Sequence, residues 1–259
     1  MSLSVGVIIA LIAAAFVAGW VDAVVGGGGL IQLPALLIGL PDQTPVASVS
    51  GTNKISSAAG TLVATATYLR AVRVDWRSAL ALVLSAWAGS TVGAQLVQYL
   101  PKDYFTPIVL VVLLGVGHYT WRRPQLGLQQ RLRFSARRHY IWLVSLGVLV
   151  GGYDGFLGPG TGTFFIIGLV GILGYGFLEA SALSKIANLT TNLAAISVLA
   201  SHILWGMGLA MAAANLTGGF LGARMAIRFG NAFVRKVFLF VVTGLAAKLA
   251  WDTVSLLLP

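Results

Sequence analysis

Apolar residues run along this chain in blocks long enough to cross a bilayer, about 20 residues each, and they recur from one end to the other. The pattern predicts helical spans near 4–25, 28–40, 46–69, 78–99, 104–121, 139–157, 160–174, 181–203, 205–223 and 236–255. No soluble domain of any size fits between them. The first block has no basic leader, is long for a signal peptide and is followed by further spans, so it reads as a mature helix. Two segments, 28–40 and 160–174, are short, and each follows a cluster of glycines.

Those two places belong to a repeat. D-A-V-V-G-G-G-G-L-I at Asp22–Ile31 returns as D-G-F-L-G-P-G-T-G-T at Asp154–Thr163, 132 positions on. Lys54-Ile55 returns as Lys185-Ile186, and Gly89-x-x-x-Gly93-Ala94 as Gly218-x-x-x-Gly222-Ala223, at offsets of 131 and 129. The expected organisation is a first repeat over 1–121, a basic cytoplasmic loop over 122–138 and a second repeat over 139–259.

Composition strengthens the membrane reading. Hydrophobic residues make up 58% of the 259 and charged residues 9%, against roughly 25% charged in a soluble domain. The net charge of +10 sits in loops. Arg70, Arg73 and Arg77 share one; Arg122, Arg123, Arg131, Arg133, Arg137 and Arg138 fill the central one; Arg224, Arg228, Arg235 and Lys236 fill a third. Such loops between spans mark a cytoplasmic face and not a nucleic-acid partner. If the short segments re-enter, each half has four crossings and the third basic loop faces outward. If they cross, all three loops lie inside. The second arrangement is favoured, because Ser201–Gly208, the counterpart of the loop at Arg70–Arg77, has lost its arginines. The expected fold is therefore an all-α polytopic membrane protein of about ten membrane segments, as two inverted five-segment repeats with both termini outside.

Candidate chemistry lies where polar groups interrupt this apolar background. Gly26–Gly29 cannot sustain a helix, and Gly158-Pro159-Gly160-Thr161-Gly162 is a still stronger break. Broken backbone at membrane depth is tolerated only in protein or beside a wet cavity. Helices restarting there present N–H groups and a positive dipole end that suit an anion, which makes Gly28, Gly29, Gly160 and Gly162 candidate binding positions. Lys54 and Lys185 lie within spans, and an unpaired ammonium there costs at least about 2.5–3.5 kcal/mol. Polar neighbours share their helix faces: Thr52 and Asn53 beside Lys54, and Ser184, Asn188 and Asn192 beside Lys185. Two cations with hydroxyl and amide donors would chelate a small oxyanion. Asp22 and Asp154, four residues before each break, are read as coupling groups or as partners that compensate the lysines. The glycines at 89, 93, 218 and 222 read as close-packing positions.

Other chemistry is disfavoured. The chain has no cysteine, and His118, His139 and His202 lack metal-ligand spacing, so no metal or cofactor is expected. Ser201-His202 has no third group, and neighbours in a helix do not face one another, so the chain is not read as an enzyme.

The motifs at Gly19–Leu36, Thr52–Lys54, Tyr153–Gly162, Lys185–Asn192 and Gly218–Arg224 resemble those of the sulfite exporter TauE/SafE family, also called the toluene-sulfonate uptake permease family. The likeness covers nearly the whole chain. It implies transport of small sulfur oxyanions or organosulfonates across the bacterial inner membrane, here by alternating access around a midplane site. Expected partners are a small anionic substrate, the lipid bilayer and, in a homodimer, a second copy of the chain. The second break departs from a run of glycines, so the half-sites differ chemically. A passive anion channel and a non-transporting scaffold or assembly factor are the competing readings.

Overall fold

In the computed structural model, residues 3–41, 43–99 and 131–257 are described. Helix α1 spans Val5–Val25; Ser4 caps its start by accepting from the Val7 N–H, and Gly26, at φ 81°, ends it. The short α2 spans Gly29–Gly39. Helix α3 covers Val46–Ala71, and α4 covers Trp76–Leu96 with a 3₁₀ turn at Val97–Tyr99. Asp75 caps α4, its carboxylate accepting from the Arg77 and Ser78 N–H groups. In the second half, α5 spans Ala136–Phe156 and the short α6 spans Thr161–Ile167. At Gly168 α6 widens into a π-helical segment that ends at Leu173. Helix α7 covers Phe177–Leu199, a 3₁₀ turn follows over Ala200–His202, and α8 covers Trp205–Leu257.

These elements match the expected spans closely, with two differences. The span expected at 104–121 lies outside the described residues. The spans expected at 205–223 and 236–255 are two helices of α8 that meet at a kink where Gly230 leaves helical geometry (φ 70°, ψ −166°), and the first runs on past Ala223. The intervening arginines lie on helix because no proline or capping sequence stops it after Ala223.

Side chains are distributed as in a protein solvated by lipid. Helix α3 buries Ser48, Ser50, Thr52, Asn53, Lys54, Ser56, Thr61 and Thr65 and leaves Leu62 exposed. Helix α7 buries Ser181, Ser184, Lys185, Asn188, Thr191 and Asn192 and leaves Leu193 exposed. Outward-facing positions elsewhere are apolar: Ile9, Leu80, Leu84, Leu149, Leu209 and Leu221. Among the described residues, Val5–Val25, Trp76–Leu96 and Phe177–His202 are long and apolar enough to cross a membrane. Helix α3 falls short of that measure because its buried face is polar, as suits a helix that lines an interior site.

Packing crosses between the halves. Helix α1 packs chiefly on α8, and α4 packs chiefly on α5; α3 and α7 lie against each other and carry the polar interior. Small residues set these approaches. A Cβ at Gly218 or Gly222 would strike the carbonyl oxygens of Phe16 and Trp20. A Cβ at Gly89 or Gly93 would strike those of Val148 and Gly152. The two sets are images of each other at the sequence offsets above, and so is the approach of Gly19 to Asn215 and of Gly151 to Ala86.

Candidate functional site

The site lies where the two glycine breaks meet. Gly26 and Gly158, both at positive φ, terminate α1 and α5 in a conformation that side chains disfavour. The breaks pack directly on each other. The Thr163 N–H donates to the Gly26 carbonyl at 3.1 Å, and the Thr163 hydroxyl donates to the Val25 carbonyl at 3.0 Å. A Cβ on Gly26 would overlap the main chain of Gly162. The Ser184 hydroxyl ties α7 to this junction through the Gly162 carbonyl at 2.9 Å. Across it, the Tyr153 hydroxyl holds the Pro159 carbonyl at 2.6 Å.

Both intramembrane lysines are paired, and each with the aspartate of the other half. Lys54 Nζ lies 2.5 Å from Asp154 Oδ2, and Lys185 Nζ lies 2.7 Å from Asp22 Oδ2. Lysines and aspartates are all buried. Pairing of this quality is what allows four charges to sit in a low-dielectric interior, since any one of them alone would carry its full desolvation penalty. The pairs are not equivalent. Asp154 also accepts from the Thr161 hydroxyl at 2.6 Å on its second oxygen. The Asp22 side chain is 13% exposed, against 2% for Asp154.

A cavity of about 10 Å³ opens between the pairs, room for a single water-sized group. Of the expected site residues, Asp22, Gly29, Asn53, Lys54, Asp154, Gly160, Gly162, Asn188 and Asn192 line it. The others do not line it. Lys185 reaches the cavity through Asp22, and Gly28 packs against the Asp22 Cβ. Ser184 holds Gly162. The Thr52 hydroxyl accepts from the Leu204 N–H at 3.0 Å, which anchors the approach to α8.

Behind Asn53 lies a buried network that the sequence reading missed. The Gln32 side-chain amide donates to the Asn53 carbonyl at 3.2 Å and to Asn53 Oδ1 at 2.9 Å. Its oxygen accepts from the Ser56 hydroxyl at 3.1 Å and from Asn215 Nδ2 at 2.7 Å. Gln32 was legible as the polar residue within the apolar run 30–40. Asn215 sits on a distant helix, and nothing local marks it.

A larger cavity, about 310 Å³, lies at the Arg73 loop among Asp75, Ser78, His139, Tyr175 and Glu179, and holds none of the expected site residues. Here the Ser78 hydroxyl bond to Asp75 holds that carboxyl below its ordinary range, and burial raises the Tyr175 phenol.

Comparison with known proteins agrees with the geometry. Residues 11–249 match the family described as Sulfite exporter TauE/SafE. The chain is 35% identical over 246 residues to a "Probable membrane transporter protein ORF9" of Sinorhizobium sp, covering 93% of this chain and 92% of that one. It is 34% identical over 254 residues to a "Probable membrane transporter protein" of Haemophilus influenzae, covering 97% and 98%. Identity to the "Probable membrane transporter protein YfcA" of Escherichia coli K12 is 31% over 241 residues, covering 92% and 88%. No solved structure matches the chain.

Proposed function

Because the chain belongs to the TauE/SafE family of membrane transporters, we propose that it is a permease for small anions, with sulfite or organosulfonate-type sulfur oxyanions as substrates. It would work in the bacterial inner membrane by alternating access around the junction of the two breaks. The observation that carries this reading is the crossed pairing of Lys54 with Asp154 and of Lys185 with Asp22 in one buried junction. Two cations held ready by carboxylates can exchange those partners for an oxyanion.

The cavity of about 10 Å³ is too small for a sulfur oxyanion with three oxygens. Binding therefore requires at least one lysine–aspartate pair to part. Asn53, Asn188 and Asn192 would donate hydrogen bonds to the oxygens, and Lys54 and Lys185 would supply charge. The freed carboxylate must then turn to water or take up a proton, since an unpaired charge at this depth is costly. Asp22, the more exposed carboxylate, suits that role.

The matched cross-half contacts support a two-repeat organisation, 1–121 and 139–259, inverted in the membrane and rocking about the glycine breaks. A homodimer is compatible with this arrangement. The test is sulfite flux into proteoliposomes for wild type, Lys54→Ala and Lys185→Ala, with sulfate and a simple organosulfonate as competitors. Saturable flux lost in both variants is expected. Intact flux in both would remove the lysines from the binding site.

A further inference from the structure

We propose that Gln32 is a positioning residue that fixes the direction of the Asn53 amide, so that Asn53 meets the anion with its N–H donors and not with its oxygen. The proposal rests on the anion-site reading above.

The argument begins at a backbone carbonyl. Asn53 O has no proton to give, so whichever end of the Gln32 amide faces it at 3.2 Å must be the nitrogen. The second hydrogen of that nitrogen points to the Asn53 side chain at 2.9 Å, so the atom that receives it is the oxygen. Asn53 is thereby oriented with its acceptor against Gln32. Its NH₂ group is left for the cavity wall, to which Asn53 contributes. The opposite end of Gln32 is equally committed: Oε1 accepts from Ser56 at 3.1 Å and from Asn215 at 2.7 Å. Two donors and two acceptor positions are filled, which is the full capacity of a carboxamide. A flipped Gln32 would set its NH₂ against the NH₂ of Asn215 and its oxygen against a carbonyl. The network is buried, with Gln32 and Ser56 at 0% and Asn53 and Asn215 at 3% exposure, so water cannot rescue a flipped state.

This device belongs to one half-site only. At the repeat offsets, Gln32, Asn53, Ser56 and Asn215 correspond to Phe164, Ser184, Ala187 and Ala86. An Asn53 free to rotate must be ordered by the anion at a cost in binding; a fixed one already presents its NH₂ group.

The experiment measures KM and kcat for sulfite in proteoliposomes, with folded protein quantified for each variant. Gln32→Met keeps the length of the side chain and removes both donors without adding a charge. It is expected to raise KM about tenfold with little change in kcat, the worth of roughly one hydrogen bond to a charged group. Asn53→Ala should do the same, and the double variant should be no worse than either alone. Asn215→Ala, which installs the residue of the other half, should raise KM severalfold and serves if Gln32→Met misfolds. An unchanged KM in Gln32→Met or Asn215→Ala, or a double variant that multiplies the single effects, overturns the positioning role. If Asn53→Ala is silent while Lys54→Ala abolishes flux, the anion site stands and this proposal falls. If wild type carries no sulfur oxyanion, or neither Asn53→Ala nor Lys54→Ala matters, the underlying reading fails and takes this proposal with it.

Discussion

Removing Lys185 would strand the Asp22 carboxylate in the interior, and the cost of breaking a buried pair from one side is about 3–5 kcal/mol. Removing both partners is far cheaper. Lys185→Met is therefore expected to lower the detergent-solubilised melting temperature sharply, and Lys185→Met with Asp22→Leu to restore most of it without restoring transport. Thermal unfolding followed by tryptophan fluorescence checks this, and equal melting of single and double variants would count against the pairing. The ionisable residues were legible in the sequence because a charge in apolar sequence needs a reason. Which lysine meets which aspartate was not, since both candidates recur in both halves and only the fold decides. Thr52 shares a helix and a neighbourhood with Lys54, yet it bonds Leu204, a contact 152 positions away that no local pattern reports.

At the scale of elements, the glycine pairs make the firmest claims. Gly222→Leu places a branched side chain where the Trp20 carbonyl lies, and Gly93→Leu does the same at Gly152. Each should reduce folded yield severely, by overpacking of at least 1–3 kcal/mol. Gly206, which has open space around its Cβ position, is expected to accept Ala with little loss, and size-exclusion profiles separate the cases. Helix α4 carries a pH prediction. Asp75 is held below its ordinary range mainly by the Ser78 hydroxyl, so its cap contributes above the unfolded carboxyl value of about 4 and is lost as pH falls through the folded one. Asp75→Ala should cost about 1 kcal/mol at neutral pH, with the difference from wild type shrinking as pH falls below the ordinary carboxyl range. Helix existence and most boundaries were readable from the apolar blocks. The extension of the first helix of α8 from Ala223 to the kink at Gly230 was not, because Arg224 and Arg228 resemble a loop in composition while forming helix in structure.

For the whole molecule, topology is the open measurement, and a chain without cysteine is well suited to it. Under the ten-segment inverted arrangement, Arg73→Cys and Arg228→Cys are labelled by an impermeant maleimide only from the cytoplasmic side, and Ser201→Cys only from outside. Were the short helices α2 and α6 re-entrant, positions 201 and 228 would exchange sides. The crossed ion pairs also have a consequence for how such a gene can be divided and inherited. Each half carries one lysine and one aspartate of these pairs, but neither half contains the partner of either. Expressed alone, a half is expected to leave its lysine and aspartate without these partners, and two halves expressed together are expected to restore the pairs and the flux. Reversing the charge at Lys54 is tolerable only when Asp154 is reversed with it, although the two codons lie far apart. The two halves of this protein are thus bound by electrostatics to change together at these four positions.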